Sequence, residues 1–471
     1  MGQSSSAHRA ISDSRVVKTK YGKVLGRRFE FEGKQVDAFQ GVPYASPPLG
    51  ELRFKRPEPP ASWDGVKETK AFAARGIQKD AFFFEKTSED NLYLNVFTPA
   101  WSPCTTSGFA VLVFIHGGGF VSDSTVKYGD VGICEHLCTK DVVVVTAQYR
   151  LGYLGFFTTG DECCPGNLAL WDQTFALKWI KENIAYFNGD PDNVTVMGQS
   201  AGGASVDLLS ISPYSRDLFH RVIPMGGNAS CSWALHNDMV EECRKFAEKN
   251  GVKDTRDSKK VAARHRFVAY CFGLDVFISV SEMRKEAPAK PMMIGCCSSE
   301  GLILCKFGDT VRYMVSASSI LLDLVSRPSF QLLGDKFTNI GVQTAVLETL
   351  EANNAPVYFY SFDYFNPKSW GPLSLRWPFK DATHCTELAY IFAVGIIWNF
   401  EFNDTDKRML ELTTRMWTNF AKYGEKIGDL LSKWPNSSPE TPDGVPFHFI
   451  KRVSAHISTP LKNFQLNIFS C

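Results

Sequence analysis

The distribution of apolar positions predicts a sheet whose strands alternate with helices. The runs Ala110–Ile115 and Val142–Val145 are apolar at every position, which is typical of strands buried on both faces of a parallel sheet. Asn167–Ile184 carries an apolar stripe at helical spacing. Three further β-rich runs predict strands at Asn193–Met197, Pro291–Cys297 and Val357–Phe362. The pattern therefore indicates an α/β fold, with a central, mostly parallel, twisted sheet and helices on both faces.

The two ends of the chain carry weaker patterns. Residues 18–60 contain short β-like runs that end in turn-rich segments, and Leu92–Phe97 alternates like a strand. Near the C-terminus, the apolar segment Ala389–Ile397 predicts a buried helix, and Lys407–Tyr423 predicts a long amphipathic helix. No apolar run approaches the roughly 18 residues that a membrane-spanning helix needs.

Composition and charge narrow the class of protein. The 471 residues suit one large α/β domain or two ordinary ones. Hydrophobic residues make up 44% and charged residues 21%, as in soluble globular proteins. The formal net charge is +1, so nothing suggests a nucleic acid as a partner.

The N-terminus allows two interpretations. Met1–Ser6 has no apolar core like that of a secretory signal, so we expect a cytoplasmic protein that is not secreted. Gly2 fits the N-myristoylation pattern, whereas a disordered Ser-rich tail explains residues 1–17 equally well. One acyl chain binds membranes weakly, so peripheral membrane contact would need a second signal. Nearby basic residues could supply it: Arg9, Arg15, Lys18 and Lys20.

The thirteen cysteines fit a reducing compartment. Cys134 and Cys138 lie four residues apart on a predicted helix and are interpreted as packing residues. The neighbouring pairs at 163–164 and 296–297 lack the spacing of zinc ligands. The sequence therefore predicts no metal and no cofactor.

One short segment carries the pattern of a nucleophilic serine. Gly198-Gln199-Ser200-Ala201-Gly202 fits G-x-S-x-G, with a β-rich run before it and a helix-compatible run after it. The small residues at 198 and 202 would let a strained turn pack closely against the sheet. A turn that merely contains serine is the alternative, and the strand–helix context argues against it.

A glycine-rich loop predicts the oxyanion hole. His116-Gly117-Gly118-Gly119 directly follows the apolar strand Ala110–Ile115. Backbone N–H groups in such a loop can stabilise the negative charge that develops on an ester carbonyl oxygen. The N–H of Ala201, at the start of the helix after Ser200, would complete the hole.

In α/β folds with this serine motif, an acid and then a histidine follow the serine along the chain, and this order identifies candidate partners for Ser200. Glu300 lies just past the predicted strand Pro291–Cys297, where sites form in open α/β sheets. The histidines after it are His384, His448 and His456. His384 lies in a polar loop. His448 lies between two phenylalanines, so packing explains it, and His456 lies near the C-terminal tail. The interpretation favours Glu300 and His384.

These residues resemble the type-B carboxylesterase and cholinesterase family. The resemblance covers about residues 18–450 and is carried by the following segments: Phe39–Ala45, Ser88–Val96, His116–Phe120, Tyr149–Gly152 and Phe187–Gly202. It implies an α/β-hydrolase domain at 18–455, shortened between about 230 and 350, followed by a tail at 456–471. It also implies a catalytic triad of Ser200, Glu300 and His384, with oxyanion donors at Gly118, Gly119 and Ala201.

The chain departs from the family pattern in informative places. Asn91 and Gly76 stand where the first disulfide of the family would lie. Phe82–Phe84 replaces the tryptophan region that binds quaternary ammonium in cholinesterases, and Gln199 replaces their glutamate before the nucleophile. Both changes favour small uncharged esters as substrates.

The sequence therefore predicts a carboxylesterase that works through an acyl-enzyme at Ser200. Two alternatives remain open. Esterase-like adhesion proteins share the fold without the activity, although they generally lose a triad residue. A triacylglycerol lipase would share the chemistry, and only interfacial activation would distinguish it.

Overall fold

A computed structural model describes most of the chain. The described residues are 10–79, 85–236, 238–255, 279–307, 327–353, 356–377, 379–396, 399–424 and 451–453. Several residues named above lie outside them, including Gly2, Arg9, Phe82–Phe84, Ile397, His448 and His456.

One large sheet organises the molecule. Twelve of the fourteen described strands form it, in the order β1-β2-β3-β7-β9-β8-β10-β11-β12-β13-β14, with β4 paired to β2. The strands are β1 Ser12–Lys18, β2 Lys23–Phe31, β3 Lys34–Pro43, β4 Val66–Glu68, β5 Arg75–Gly76, β6 Thr87–Ser88, β7 Tyr93–Pro99, β8 Phe109–Ile115, β9 Val142–Ala147, β10 Gly189–Gln199, β11 Arg221–Met225, β12 Met292–Cys297, β13 Val357–Phe362 and β14 Lys451–Val453. The short strands β5 and β6 pair with each other.

The centre of the sheet is parallel and its flanks are antiparallel. Strands β9, β8, β10, β11, β12 and β13 pair in parallel in that order. Strands β1, β2, β3 and β7 and the last strand β14 join antiparallel, while the short β4 pairs with β2 in parallel. The predicted α/β class is confirmed. The apolar runs predicted the central strands because parallel strands are covered on both faces, so nearly every position is buried.

Helices cover both faces. They are α1 Val131–His136, α2 Gly152–Phe156, α3 Leu168–Asn183, α4 Ala201–Ile211, α5 Met239–Lys249, α6 Val280–Glu286, α7 Arg327–Gly334, α8 Ile340–Asn353, α9 Ala389–Phe392 and α10 Asp404–Tyr423. Helix α10 begins three residues earlier than the predicted Lys407, because Asn403 and Asp406 form a reciprocal capping box.

One predicted helix is wrong in length. The apolar segment Ala389–Ile397 was expected to be helical throughout, but α9 ends at Phe392. Ala393 has a φ of 54°, a left-handed conformation that stops the helix. Apolar composition marked the buried residues Ala389–Phe392 and Ile396, but it did not mark the backbone reversal.

Successive residues of one strand enter two different cores. Val111, Val113 and Ile115 of β8 pack in one core, with residues of α3 and α4. Leu112 and Phe114 pack in the other, with residues of α1 and α10. Burial on both faces holds the carboxyl ends of the central strands rigidly, and these ends carry the candidate site. Within the described residues, no helix has the length and apolar character to cross a membrane.

Candidate active site

Ser200 stands alone between a strand and a helix. Strand β10 ends at Gln199 and helix α4 begins at Ala201. Ser200 has φ 59° and ψ −124°, a conformation that L-residues rarely adopt. Its N–H donates to Met225 O on β11 at 2.8 Å, which anchors the strained residue to the sheet. Strain of this kind is retained where the surrounding structure over-determines it.

The flanking glycines are required by close backbone approach. A Cβ on Gly202 would lie 2.1 Å from Ile115 O, and a Cβ on Gly198 would lie 2.3 Å from Gly202 O. Larger residues would therefore push the helix away from the strand. The sequence pattern had predicted this contact between turn, strand and helix.

The glycine loop lies directly against the serine. A Cβ on Gly117 would be 3.1 Å from Ser200 Cβ. Gly118 and Gly119 have φ values of 87° and 61°. Among the described residues, no hydrogen bond is formed by the N–H groups of these two glycines. The N–H of Ala201 belongs to the first turn of α4, where helices have unpaired donors.

Tyr149 fixes the start of this loop. Its hydroxyl donates to His116 O at 2.7 Å and Gly117 O at 3.3 Å. Its ring stacks on the His116 imidazole, with centroids 4.5 Å apart. Gly118 O in turn accepts from the N–H groups of Val121 and Ser122 at 3.1 and 3.0 Å. The loop is therefore held in shape before any ligand arrives.

Glu300 and His384 are brought together in the interior. Glu300 is completely buried, and its Oε2 contacts His384 Nδ1. The N–H of Cys297 donates to Glu300 Oε1 at 2.8 Å. Burial alone would disfavour the imidazolium, but the neighbouring Cys385 and Glu300 outweigh it, so the pKa of His384 is well above its usual value.

A glycine makes room where the three site side chains meet. A Cβ on Gly226 would lie 3.2 Å from Glu300 Oε1 and 3.3 Å from both His384 Nδ1 and Gln199 Nε2. Gly226 has a φ of 53° and directly follows β11. This position was not identified from the sequence.

The free nitrogen of His384 faces Gln199. The amide Nε2 of Gln199 lies 3.2 Å from His384 Nε2, and its Oε1 accepts from the Cys385 thiol at 3.2 Å. Among the hydrogen bonds of the described residues, none joins Ser200 Oγ to His384. Catalytic hydrogen bonds are often loose without substrate. The sequence had marked Gln199 as uncharged but not as a contact of the histidine.

Glu387 is a second buried carboxyl beside the triad. It is completely buried, its Oε2 accepts from the Cys297 thiol at 3.0 Å, and its Oε1 lacks a hydrogen bond among the described residues. Burial, followed by the nearby Glu300 charge, raises the pKa of Glu387 to about 7. Sequence analysis missed this residue because only the folded chain brings it near Glu300.

The Glu387→Gln substitution should stabilise the protein at alkaline pH. Between the unfolded value of 4.5 and about 7, only the unfolded chain loses this proton, so ionisation favours unfolding as pH rises. We expect the substitution to raise the free energy of unfolding by about 3 kcal/mol at pH 8. Urea denaturation at pH 8 and pH 5 measures it, and the gain should fall to about 1 kcal/mol at pH 5. The exposed Glu401→Gln should show no such pH dependence, and an equal gain at both pH values contradicts the argument.

The sheet, the strained serine between strand and helix, and the buried acid–histidine pair define an α/β-hydrolase. The sequence profile described as "Carboxylesterase family" matches residues 13–270 and 310–465. The chain belongs to the carboxylesterase family.

Similar proteins from several animals bear esterase names. Esterase cest-33 of Caenorhabditis elegans is 37% identical over 494 aligned residues, covering 90% of this chain and 89% of the relative. The cocaine esterase of Homo sapiens is 32% identical and covers 90% and 86%. The juvenile hormone esterase of Tribolium castaneum is 31% identical and covers 91% and 87%. These matches extend over nearly the whole chain and identify it as a carboxylic ester hydrolase.

Proposed function

We propose that this protein hydrolyses carboxylic esters through an acyl-enzyme at Ser200. The observation that carries the proposal is the strained Ser200 at the elbow, with the buried Glu300–His384 pair near it across Gly226. Membership of the carboxylesterase family supports it further.

In the proposed reaction, Ser200 Oγ attacks the ester carbonyl while His384 Nε2 takes its proton. Glu300 accepts from Nδ1–H, which leaves Nε2 as the basic nitrogen and stabilises the imidazolium. The imidazolium then protonates the departing alcohol. Water subsequently attacks the acyl-enzyme with the same histidine as base, which releases the acid and restores Ser200.

The oxyanion is proposed to bind the N–H groups of Gly118, Gly119 and Ala201. The two glycine donors form no other hydrogen bond among the described residues, so they remain available to a substrate oxygen. Fixed donors in a water-poor site stabilise the developing charge without reorganising.

Gly118→Ala should lower kcat by about 100-fold or more. A Cβ at this position would lie 2.1 Å from Ser122 O, so the loop must shift away from the serine. Steady-state kinetics on a short p-nitrophenyl ester measure the loss. Gly33→Ala is the matched control, since Gly33 has φ 79° and open space around it. Equal kcat values for the two variants would contradict the role of the loop.

Small uncharged esters are the proposed substrates. The amide of Gln199 adds no charge beside the nucleophile, so the site offers no anion there to a cationic alcohol group. An ester series that varies acyl length and charge on the alcohol measures this preference. A higher kcat/KM for choline esters than for neutral esters of matched size would refute it.

Covalent labelling separates this proposal from the alternative of an esterase-like binding protein. A fluorophosphonate probe should label the intact protein at Ser200, and the Ser200→Ala variant should remain unlabelled. Peptide mass spectrometry locates the adduct. An unlabelled Ser200 in folded protein would favour the non-enzymatic alternative.

A further inference from the structure

The contact between Gln199 and His384 affects the protonation and alignment of the proposed catalytic base. His384 Nδ1 faces the Glu300 carboxylate, so it carries the ring proton when the imidazole is neutral. Nε2 then has only a lone pair. The Gln199 amide nitrogen lies 3.2 Å from that atom and can donate to it.

The thiol of Cys385 determines which end of the amide faces the ring. It lies 3.2 Å from Gln199 Oε1 and donates to it. A neutral imidazole can only accept at Nε2, so the amide nitrogen must turn toward His384 and the oxygen toward the thiol. Gln199 is only 2% exposed, which limits exchange of these bonds with water.

We propose that Gln199, oriented by the Cys385 thiol, is a positioning residue that aligns His384 and opposes its protonation in the resting enzyme. The inference rests on the proposed role of His384 as the base. Its physical reason is that an amide N–H stabilises the lone pair of the neutral ring and cannot accept from the imidazolium. Ser200 must replace this contact when it transfers its proton.

Several other groups face His384, and together they set its protonation. Glu300 contacts Nδ1, Glu387 and Cys385 lie on the same loop as the histidine, and the uncharged ring of Phe337 packs edge-on against the imidazole at 5.5 Å. Burial disfavours the imidazolium, whereas Cys385 and Glu300 favour it. The Gln199 amide, like burial, favours the neutral imidazole.

Substitutions at Gln199 test the proposal through the acidic limb of the kcat/KM profile. In Gln199→Glu a carboxylate replaces the donor, and an opposite charge at this distance should move the limb upward by about one pH unit or more. Gln199→Met only removes the donor, so it should move the limb upward by about half a pH unit. A purely structural role would lower kcat/KM without moving the limb.

Cys385 offers a matched pair of variants. Its backbone is left-handed, with φ 75°, so alanine and serine meet the same backbone strain. Cys385→Ser retains a donor to Gln199 Oε1 and should keep the limb near its original position. Cys385→Ala leaves the amide free to turn and should move the limb away from that position. Equal limbs in the serine and alanine variants would overturn the role assigned to the thiol.

An NMR titration of His384 in the Ser200→Ala background separates this inference from the proposed catalysis. The titration requires no turnover, so it reports the Gln199 contact even if Ser200 is not the nucleophile. We expect the His384 midpoint to rise in Gln199→Glu. An unchanged midpoint refutes the inference, while full esterase activity in Ser200→Ala alone refutes the catalytic proposal.

Discussion

Ser200→Ala should lower kcat for a p-nitrophenyl ester by about 10⁵-fold. The substitution removes the atom that forms the acyl-enzyme, and the remaining donors and the base can only assist attack by water. Ser200 is held in its strained conformation by the bond from its N–H to Met225 O, which alanine retains. The loss should therefore be chemical rather than structural.

Two measurements show whether a loss of activity comes from misfolding or from lost chemistry. Circular dichroism and the denaturation midpoint should be close to those of the unmodified protein. The exposed Ser232→Ala should retain full activity as the matched serine control. Activity within tenfold of the original in folded Ser200→Ala would remove Ser200 from the mechanism.

Arg284→Met should lower the free energy of unfolding by about 3 to 5 kcal/mol. The guanidinium donates to both carboxylate oxygens of Asp207 at 2.8 and 2.9 Å, and both side chains are almost fully buried. Without the cation, Asp207 would remain as a buried charge whose remaining side-chain partner, among the residues that the structure describes, is the N–H of Ala229 at 3.0 Å. Asp207 lies on α4, so the loosening should reach the helix that begins at Ala201.

A double variant measures the cost of leaving the Asp207 carboxylate buried without Arg284. Asp207→Asn combined with Arg284→Met should recover part of the lost stability, because the fully buried position 207 then carries no charge; the partly exposed Glu348, which also contacts Arg284, loses that contact in both variants. The exposed pair Arg415–Glu411 supplies a surface control. Arg415→Met should cost about 0.5 kcal/mol or less. Urea denaturation compares the three variants, and equal losses at Arg284 and Arg415 would refute the argument.

The sequence predicted best those strands that are buried on both faces. Val142–Ala147 is buried at every position, so its composition alone marks an interior strand. Ala389–Ile397 is equally apolar, but its helix stops where Ala393 turns left-handed. No residue type at that position signals the reversal, because alanine is otherwise a helix former.

The candidate site divides in a similar way. Ser200 lies in a local pattern whose geometry follows from small neighbours, and Glu300 and His384 could be named from their order along the chain. Gln199, Cys385 and Glu387 were different. Their importance comes from distances across 90 to 186 positions of sequence, and such contacts exist only after the sheet has formed.

Gly76 and Asn91 define a place where the chain is closed without a covalent bond. A Cβ on Gly76 would lie 2.9 Å from Asn91 Nδ2, and that nitrogen donates to Tyr149 O at 2.9 Å. A disulfide closing a loop of about 15 residues would restrict the unfolded chain by about 3 kcal/mol of configurational entropy. Here the unfolded loop keeps that freedom, and hydrogen bonding must offset it on folding. Heat and denaturant should therefore separate Gly76 from Asn91, whereas dithiothreitol should not affect this contact.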